Sequence, residues 1–160
     1  MKEKTIPVTI FEVEDLNELD PSDQQLLASA LQATSGAYAP YSHFHVGAAV
    51  RLSDGTIITG SNQENVAFPS GLCAERTALF YAQSQYPFLT VEAMAVTAKS
   101  DKGQTVEPVY PCGACRQVML ECQVRAGKAV KVIMGGQQKT QIVACVNDLL
   151  PLAFENFDLI

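Results

Sequence analysis

The feature that most constrains the fold of this chain is a short segment that is apolar at almost every position. The segment VEAMAVTA, residues 91–98, carries one charge, at Glu92, and one hydroxyl, at Thr97. A strand that alternates apolar and polar residues leaves one face in water, whereas a strand of this composition needs cover on both faces. We therefore expect a sheet with further structure packed on each side of it.

Three segments carry the start and stop signals of helices. The first, DPSDQQLLASALQATSG, has Asp20 or Ser22 as its cap and Pro21 near its start. Gly36 lies past its end, as is common where a helix stops. Two later helices are predicted over residues 73–86 and 115–124.

Other segments have the composition of strands. VGAAVRL and TIITGS flank a turn at residues 53–55 and predict a β-hairpin, and KAVKVIMG and KTQIVACV predict two more strands. Near the amino terminus, Ile6, Val8 and Ile10 fall on one side of an alternating segment that also predicts a strand. Pro7 would place that strand at a sheet edge, because proline cannot donate to a neighbouring strand.

Alternating helices and strands predict an α/β fold. We expect a three-layer α/β/α sandwich built on a single mixed sheet of about five strands, with helices on both faces. Residues 1–160 are expected to form a single domain, a usual size for a chain of this length. Residues 1–19 are expected to be an N-terminal extension that adds an edge strand, and residues 147–160 one helical turn followed by an extension.

Charge and hydropathy argue against several classes of partner. The net charge is -6, and lysine and arginine are scattered along the chain. Polynucleotide binding needs a clustered basic surface, so no nucleic-acid partner is expected. The apolar segments are too short to span a membrane, and acidic residues interrupt the amino terminus where a signal peptide needs an apolar core. We expect a cytoplasmic protein without a membrane partner, and this charge poses no obstacle to a small uncharged substrate.

The five cysteines raise the question of what the segment PCGACR, residues 111–116, does. Two cysteines three positions apart fit a redox dithiol, half of a structural zinc site or two ligands of a catalytic zinc. An odd number of cysteines argues against a disulfide framework. Cys122 and Cys145 lie in apolar periodic segments and are expected to be buried. The remaining three are Cys73, Cys112 and Cys115.

These three cysteines stand at two predicted helix starts, where free amide groups and the helix dipole favour thiolate over thiol. Cys112 and Cys115 would share one face of a first turn, so both can reach one ion. Glu75 follows Cys73 by two positions, and on a regular helix such positions point about 200° apart. Both can serve one site only if Cys73 is at the cap or first position of its helix, and we predict that placement.

The segments CAERTALF and PCGACRQV resemble the zinc-dependent cytidine deaminases of the small homotetrameric type. The segments AYAPYSHFHVGAAV, GSNQENVAF and DLLPLAF agree with that family as well. The resemblance runs from about Ala37 to Phe154, in the expected order, and leaves out roughly the first twenty residues.

The resemblance implies a catalytic zinc centre. Cys73, Cys112 and Cys115 would hold Zn²⁺, with water or hydroxide in the fourth position. Glu75 would transfer protons while cytidine and deoxycytidine are hydrolysed to uridine and deoxyuridine plus ammonia, a reaction of pyrimidine salvage. Arg76 would hydrogen-bond the ligand sulfurs and offset the charge of three thiolates.

The resemblance also implies the residues that bind a nucleoside. Phe44 and Phe154 match the aromatic residues around the pyrimidine, and Phe154 would reach in from a neighbouring subunit of a homotetramer. Asn62 and Glu64 match the pair that hydrogen-bonds ribose hydroxyls. Ala74 matches a residue that presents its backbone near the ring.

Two positions depart from the family pattern. Phe68 stands where many members carry tyrosine, so a hydroxyl contact there would be missing. Leu152 replaces a common glycine just before Ala153 and Phe154, which would change how that turn presents its aromatic ring. Neither position is a metal ligand or the acid Glu75. The departures therefore affect the expected details of substrate binding and not the expected type of reaction.

Simpler roles remain open for each position. CGAC could be a redox pair, Cys73 a small buried residue, and Glu75 with Arg76 a solvated helix pair. Asn62 and Glu64 could terminate a strand, and Phe44 and Phe154 could be core aromatics. His43 and His45 lie in a separate segment and are expected to be surface or packing residues.

Three other functions remain as alternatives. A blasticidin-type aminonucleoside deaminase shares the zinc segments, but LLPLAF and NQEN favour cytidine deaminase. A deoxycytidylate deaminase would use histidine as its first ligand and need a basic phosphate pocket. A non-catalytic interaction module stabilised by zinc would close the coordination shell and give Glu75 no role.

Overall fold

The computed structural model describes residues 1–155, which form one sheet with helices on both faces. The strands, in chain order, are β1 (Phe11–Val13), β2 (His45–Leu52), β3 (Ile57–Ser61), β4 (Val91–Ser100), β5 (Gly103–Gln104), β6 (Lys131–Gly135) and β7 (Thr140–Val143). The helices are α1 (Pro21–Ala33), α2 (Ala74–Gln85) and α3 (Gly113–Ala126).

The strands lie side by side in the order β1-β7-β6-β4-β2-β3, and β5 pairs with the end of β4. β4 and β6 run parallel, whereas the other paired strands run antiparallel. The predicted β2-β3 hairpin is therefore present, and the two strands predicted near the carboxyl terminus, β6 and β7, pair antiparallel as well. The predicted α/β/α sandwich is confirmed, with seven strands in place of about five because the short β1 and β5 add to the main sheet.

The central strand β4 is covered on both faces, as its apolar composition predicts. Ala93 and Ala95 pack on one side, in a core that includes buried residues of α1. Met94 and Val96 pack on the other side, against residues of α2 and α3. All four side chains are at most 1% exposed. The sheet therefore separates two cores, and the larger lies under the two helices that carry the cysteines.

Two glycines let helices approach the sheet closely. A Cβ atom at Gly60 of β3 would lie 2.5 Å from the Ala78 nitrogen and 2.6 Å from the Ala74 oxygen. A Cβ atom at Gly47 of β2 would lie 2.0 Å from the Ala30 oxygen of α1. Because real Cβ atoms do not approach backbone this closely, only glycine allows this packing. Gly60 thus sets the height of the first turn of α2 above the sheet.

The helix boundaries agree with the capping signals. Asp20 is the N-cap of α1, with Pro21 in its first turn. Cys73 caps α2 and Cys112 caps α3, so the predicted placement of Cys73 is confirmed. Helix α3 starts at Gly113, two positions before the predicted start, and stops at Gly127, whose φ of 64° is readily adopted by glycine.

The strand predicted around Ile6, Val8 and Ile10 is wrong. These side chains are 40–48% exposed, and residues 1–10 contain no strand. The first strand is β1, which pairs with β7 at the sheet edge. β7 has only four residues, so it offers a short partner for the amino-terminal chain.

The predicted helical turn near the carboxyl terminus is a single 3₁₀ turn at Val146–Asp148. Residues 156–160, the last part of that prediction, lie outside the described residues. Cys122 is buried as predicted, but Cys145 is only partly buried. Within residues 1–155, none of the helices has the length and apolar character needed to cross a bilayer.

Candidate active site

Three cysteine sulfurs meet where α2 and α3 begin. The Cys73 and Cys112 Sγ atoms are 3.9 Å apart, and the Cys112 and Cys115 Sγ atoms are 3.4 Å apart. All three sulfurs lie within 4.8 Å of one another. The two N-cap residues are extended, which turns their side chains away from the helical path and toward each other.

This spacing fits one tetrahedral metal ion. Zinc binds sulfur at about 2.3 Å, which places neighbouring sulfurs about 3.8 Å apart. Among residues 1–155, the three cysteines are the one group of three or more potential ligand side chains this close together, and His43 and His45 do not belong to it. Three protein donors leave one coordination position for water, the pattern of catalytic zinc sites.

The three thiols have different proton affinities. The pKa of Cys73 is lowered to about 5, chiefly by its hydrogen bond with Cys115 and further by Arg76. The pKa of Cys115 is raised, first by the same hydrogen bond and then by burial. The Arg76 Nη2 atom donates to the Cys73 Sγ at 3.5 Å. Thiolate character is therefore concentrated on Cys73, beside a fixed positive charge.

Glu75 lies in the first turn of α2 and is only 5% exposed. It lines a cavity of about 280 Å³ together with Cys73, Ala74 and Cys112. Burial raises the pKa of the Glu75 carboxyl, and the charge of Cys73 raises it further. A carboxyl that binds protons more readily than a surface glutamate is suited to proton transfer in the cavity.

The other walls of this cavity, hereafter the inner cavity, are mostly apolar. They come from the start of β2, the loop after β3, the middle of β4 and the segment before α3; their residues are Ser42, Phe44, Val46, Asn62, Glu64, Val96, Val109 and Tyr110. A small apolar cavity with a few polar groups is typical of binding sites for small molecules. The structure thus places Phe44, Asn62, Glu64, Ala74 and Glu75, all candidate site residues from the sequence, around one cavity.

Asn62 and Glu64 are held by neighbouring backbone. The Asn62 Nδ2 donates to the Phe44 oxygen at 2.9 Å, and the Asn62 Oδ1 accepts from the Val46 nitrogen at 2.8 Å. Glu64 accepts from the Ser42 hydroxyl and from the Tyr41 nitrogen at 2.9 Å. The Ser42 hydroxyl is the main cause of the lowered pKa of Glu64. Glu64 therefore remains a carboxylate with a fixed orientation.

A second cavity of about 560 Å³ adjoins the inner cavity and shares Ser42, Asn62, Glu64 and Cys73 with it. This outer cavity does not include Glu75. Its wall includes Phe68, which packs edge-on against Tyr41 with ring centroids 6.0 Å apart. The two cavities thus meet at these shared residues, and of the two it is the inner one that Glu75 and Cys112 line.

Phe154 does not line either of these cavities within its own chain. Its side chain is 67% exposed, and its backbone oxygen accepts from the Gln117 Nε2 of α3 at 2.9 Å. Leu152, the position that departs from the family pattern, is 82% exposed. The carboxyl-terminal segment is thus attached to α3 while its apolar side chains face outward.

Sequence reasoning did not identify several residues of the site. Ser42 orients Glu64 through its hydroxyl. Its position two residues before Phe44 was the one sequence feature that could have marked it as part of the site. Tyr110 lines the inner cavity two residues before Cys112. Arg116 donates to the Pro111 oxygen at 2.7 Å and to the Leu149 oxygen at 2.8 Å, which joins the start of α3 to the carboxyl-terminal segment. No sequence signal distinguished Tyr110 or Arg116, because their contacts depend on distant segments.

Known proteins resemble this chain over most of its length. Residues 20–132 match the family model described as the cytidine and deoxycytidylate deaminase zinc-binding region. A cytidine deaminase from Halalkalibacterium halodurans is 46% identical over 136 residues, which cover 85% of this chain and 96% of that protein. A cytidine deaminase from Sporosarcina psychrophila is 42% identical over 85% of this chain and 93% of that protein.

Solved structures agree with the sequence relatives. The crystal structure of cytidine deaminase from Burkholderia pseudomallei has a TM-score of 0.70 and 40% identity, covering 81% of this chain and 97% of that one. The structure of cytidine deaminase from Mycobacterium tuberculosis has a TM-score of 0.66 and 35% identity, covering 84% of this chain and 98% of that one. With its cysteine cluster, its buried acid and these relatives, the chain belongs to the cytidine deaminase family.

Proposed function

We propose that this protein hydrolyses cytidine and deoxycytidine to uridine and deoxyuridine, consuming one water and releasing one ammonia. The observation that carries the proposal is the buried Glu75, which lines the inner cavity beside the cluster of three thiols. Relatives named cytidine deaminase support the choice of nucleoside. Such a reaction serves pyrimidine salvage in the cytoplasm, and we assign it to the whole chain as one domain.

The proposed cofactor is Zn²⁺, held by Cys73, Cys112 and Cys115. When bound, zinc activates water as a nucleophile at neutral pH. Arg76 donates to the Cys73 sulfur and offsets part of the negative charge of three thiolates. Among the described residues no fourth acidic, histidine or cysteine side chain completes the cluster, which favours a catalytic centre over a closed structural one.

Glu75 is the proposed catalytic residue because it can move protons within the cavity. Its carboxylate accepts a proton from the attacking water and delivers it to N3 of the pyrimidine ring. It then carries the second proton of that water to the amino group at C4, which leaves as ammonia. The raised pKa of Glu75 brings its protonated and ionised forms closer in free energy near neutral pH, as both steps require.

The remaining cavity residues are proposed to orient the nucleoside. Phe44 packs against the pyrimidine, and the Ala74 backbone contacts the ring edge. Asn62 and Glu64 bind ribose hydroxyls at the junction of the two cavities. A site with such polar groups rejects a free base, which would leave them without partners.

We further propose a homotetramer in which Phe154 of one subunit closes the site of its neighbour. The exposed aromatic ring and the attachment of its backbone to α3 support this arrangement. Light scattering should give about four times the chain mass, and Phe154→Ala should raise the KM for cytidine. A fully active monomer would contradict shared sites.

The proposed function is tested by coupling metal content to turnover. The purified protein should contain about one zinc per chain, since residues 1–155 hold one three-ligand cluster. A chelator should abolish the loss of cytidine absorbance, and added zinc should restore it. Cys112→Ala should lose the metal, while the control Cys145→Ala should keep it, because Cys145 lies outside the cluster.

Other outcomes would identify the alternatives. Full zinc content in Cys112→Ala would reject that residue as a ligand. Zinc-loaded protein without any nucleoside turnover would indicate a structural zinc module. Faster turnover of a blasticidin-type aminonucleoside than of cytidine would indicate that related deaminase.

A further inference from the structure

The amino-terminal strand β1 lies outside the region that matches the family model, which begins at residue 20. The match with the Halalkalibacterium halodurans protein covers 96% of that protein but 85% of this chain. The match with the Burkholderia pseudomallei structure covers 97% of that chain but 81% of this one. The chain therefore carries additional residues beyond those that it shares with these relatives. What these residues contact decides whether they bear on the site.

Strand β1 places Glu12 opposite Gln141 of β7. The Glu12 Oε2 accepts from the Gln141 Nε2 at 2.7 Å and pairs with the Lys139 Nζ at 3.3 Å. The pKa of Glu12 is lowered chiefly by Gln141, and the pKa of Lys139 is raised chiefly by Glu107 and then by Glu12. Both partners of this ion pair are therefore charged at neutral pH.

Both partners of Glu12 also contact the segment that precedes α3. The Tyr110 hydroxyl donates to the Gln141 Oε1 at 2.7 Å. The Lys139 Nζ lies 3.1 Å from the Glu107 Oε2. Two separate side-chain connections thus join Glu12 of β1 to residues 107–110. One runs through Gln141 of β7, and the other runs through Lys139 in the turn before β7.

Residues 107–110, hereafter the wall segment, form one side of the inner cavity through Val109 and Tyr110. Within the described chain, none of these four residues takes part in a backbone-to-backbone hydrogen bond. The backbone is held just before it, where the Gln138 nitrogen donates to the Val106 oxygen at 3.2 Å. The wall segment itself is held by the burial of Pro108, by close packing against Gly136 and by the two side-chain connections.

We propose that β1 is a brace for the catalytic cavity, in which Glu12 fixes the wall segment through Gln141 and Lys139. Glu12 is then a positioning residue for substrate binding, and Tyr110 is the cavity residue that it positions. The kinetic part of this inference rests on the proposed function, whereas the bracing itself does not.

The kinetic test uses Glu12→Ala in the full-length protein. Without the brace the wall segment samples more conformations, so the KM for cytidine should rise about threefold, the effect of one exposed hydrogen bond, while kcat stays within about twofold. Glu3→Ala is the matched control, since it removes an exposed acid from the same extension, and its KM should equal that of the wild type.

A double variant tests whether the connection runs through Gln141. Tyr110→Phe alone should raise the KM for cytidine, because it removes the hydroxyl that donates a hydrogen bond to Gln141. In the Glu12→Ala background the same change should add little, since Gln141 has already lost its anchor. Additive effects would overturn the connection between the two residues.

Amide hydrogen exchange tests the brace independently of turnover. The Thr105 amide, which donates to the Ala98 oxygen at 3.0 Å and lies just before the wall segment, should exchange faster in Glu12→Ala than in the wild type, while the amides of residues 91–96 of the buried β4 should not change. Unchanged exchange and unchanged KM, with only a lower melting temperature, would show that β1 stabilises the sheet edge and would overturn the proposal. A wild type without cytidine turnover would reject the proposed function and leave the exchange result to decide the brace.

Discussion

Two buried carboxylates lie on opposite faces of the sheet, and their surroundings differ. Asp23 of α1 is 3% exposed, and Glu75 of α2 is 5% exposed. The Arg51 Nη1 lies 2.9 Å from one oxygen of Asp23, and the Lys131 Nζ lies 2.7 Å from the other. Asp23 therefore joins α1 to β2 and β6 as an ion pair with two cations, each carboxylate oxygen having its own partner.

Among residues 1–155, Glu75 has no comparable pair of cations. The nearby Arg76 donates to the Cys73 sulfur, and burial raises the pKa of the Glu75 carboxyl. A buried acid surrounded by cations stabilises a packing arrangement, whereas a buried acid beside thiols and a cavity can gain and lose a proton. The two carboxylates are thus buried to a similar extent but differ in role, because their neighbouring groups differ.

The largest expected effect is that of Glu75→Gln. Removing the proton-transfer group should lower kcat for cytidine by about 10³-fold, within the range of general acid-base catalysis. Zinc content and melting temperature should stay close to those of the wild type, because glutamine fills the same space. Ultraviolet absorbance measures the turnover of cytidine, and elemental analysis measures the zinc content. Near-normal turnover would contradict the proposed mechanism.

The matched change on the other face, Asp23→Asn, should give the opposite pattern. Loss of the charge leaves Arg51 and Lys131 without their anion and should lower the free energy of unfolding by about 2 kcal/mol, since Lys131 remains partly solvated. The kcat of the folded protein should not change. Urea unfolding followed by circular dichroism measures this loss. A lower kcat with unchanged stability would contradict the structural role of Asp23 and leave no difference in role between the two acids.

A third carboxylate, Glu64, is only partly buried and is oriented by hydrogen-bond donors rather than cations, so the loss of one donor should give the smallest effect. Ser42→Ala removes the hydroxyl donor and should raise the KM for cytidine about threefold, with little change in kcat. Steady-state kinetics with cytidine measures the change. Equal losses in kcat and kcat/KM would instead place Ser42 in the chemical step.

Much of the site followed from short segments of sequence. The cysteine spacing, the position of Glu75 and the need to place Cys73 at a helix cap are local properties, because caps and first turns involve only neighbouring residues. The apolar composition of residues 91–98 also determined a strand covered on both faces. The amino-terminal strand was misplaced because β1 forms only where the short β7 offers a partner.

Local sequence patterns were thus enough to predict the layers of the fold and to select Cys73, Cys112, Cys115 and Glu75 as candidates for the chemistry. The contacts between distant segments follow only from the folded chain: the two cations of Asp23 on one face of the sheet, and on the other side the donors to Glu64 and the contacts of Glu12 with Gln141 and Lys139. Helices and strands are specified by periodicity over neighbouring residues. Contacts between side chains distant in sequence depend on strand order and register, which no local pattern encodes.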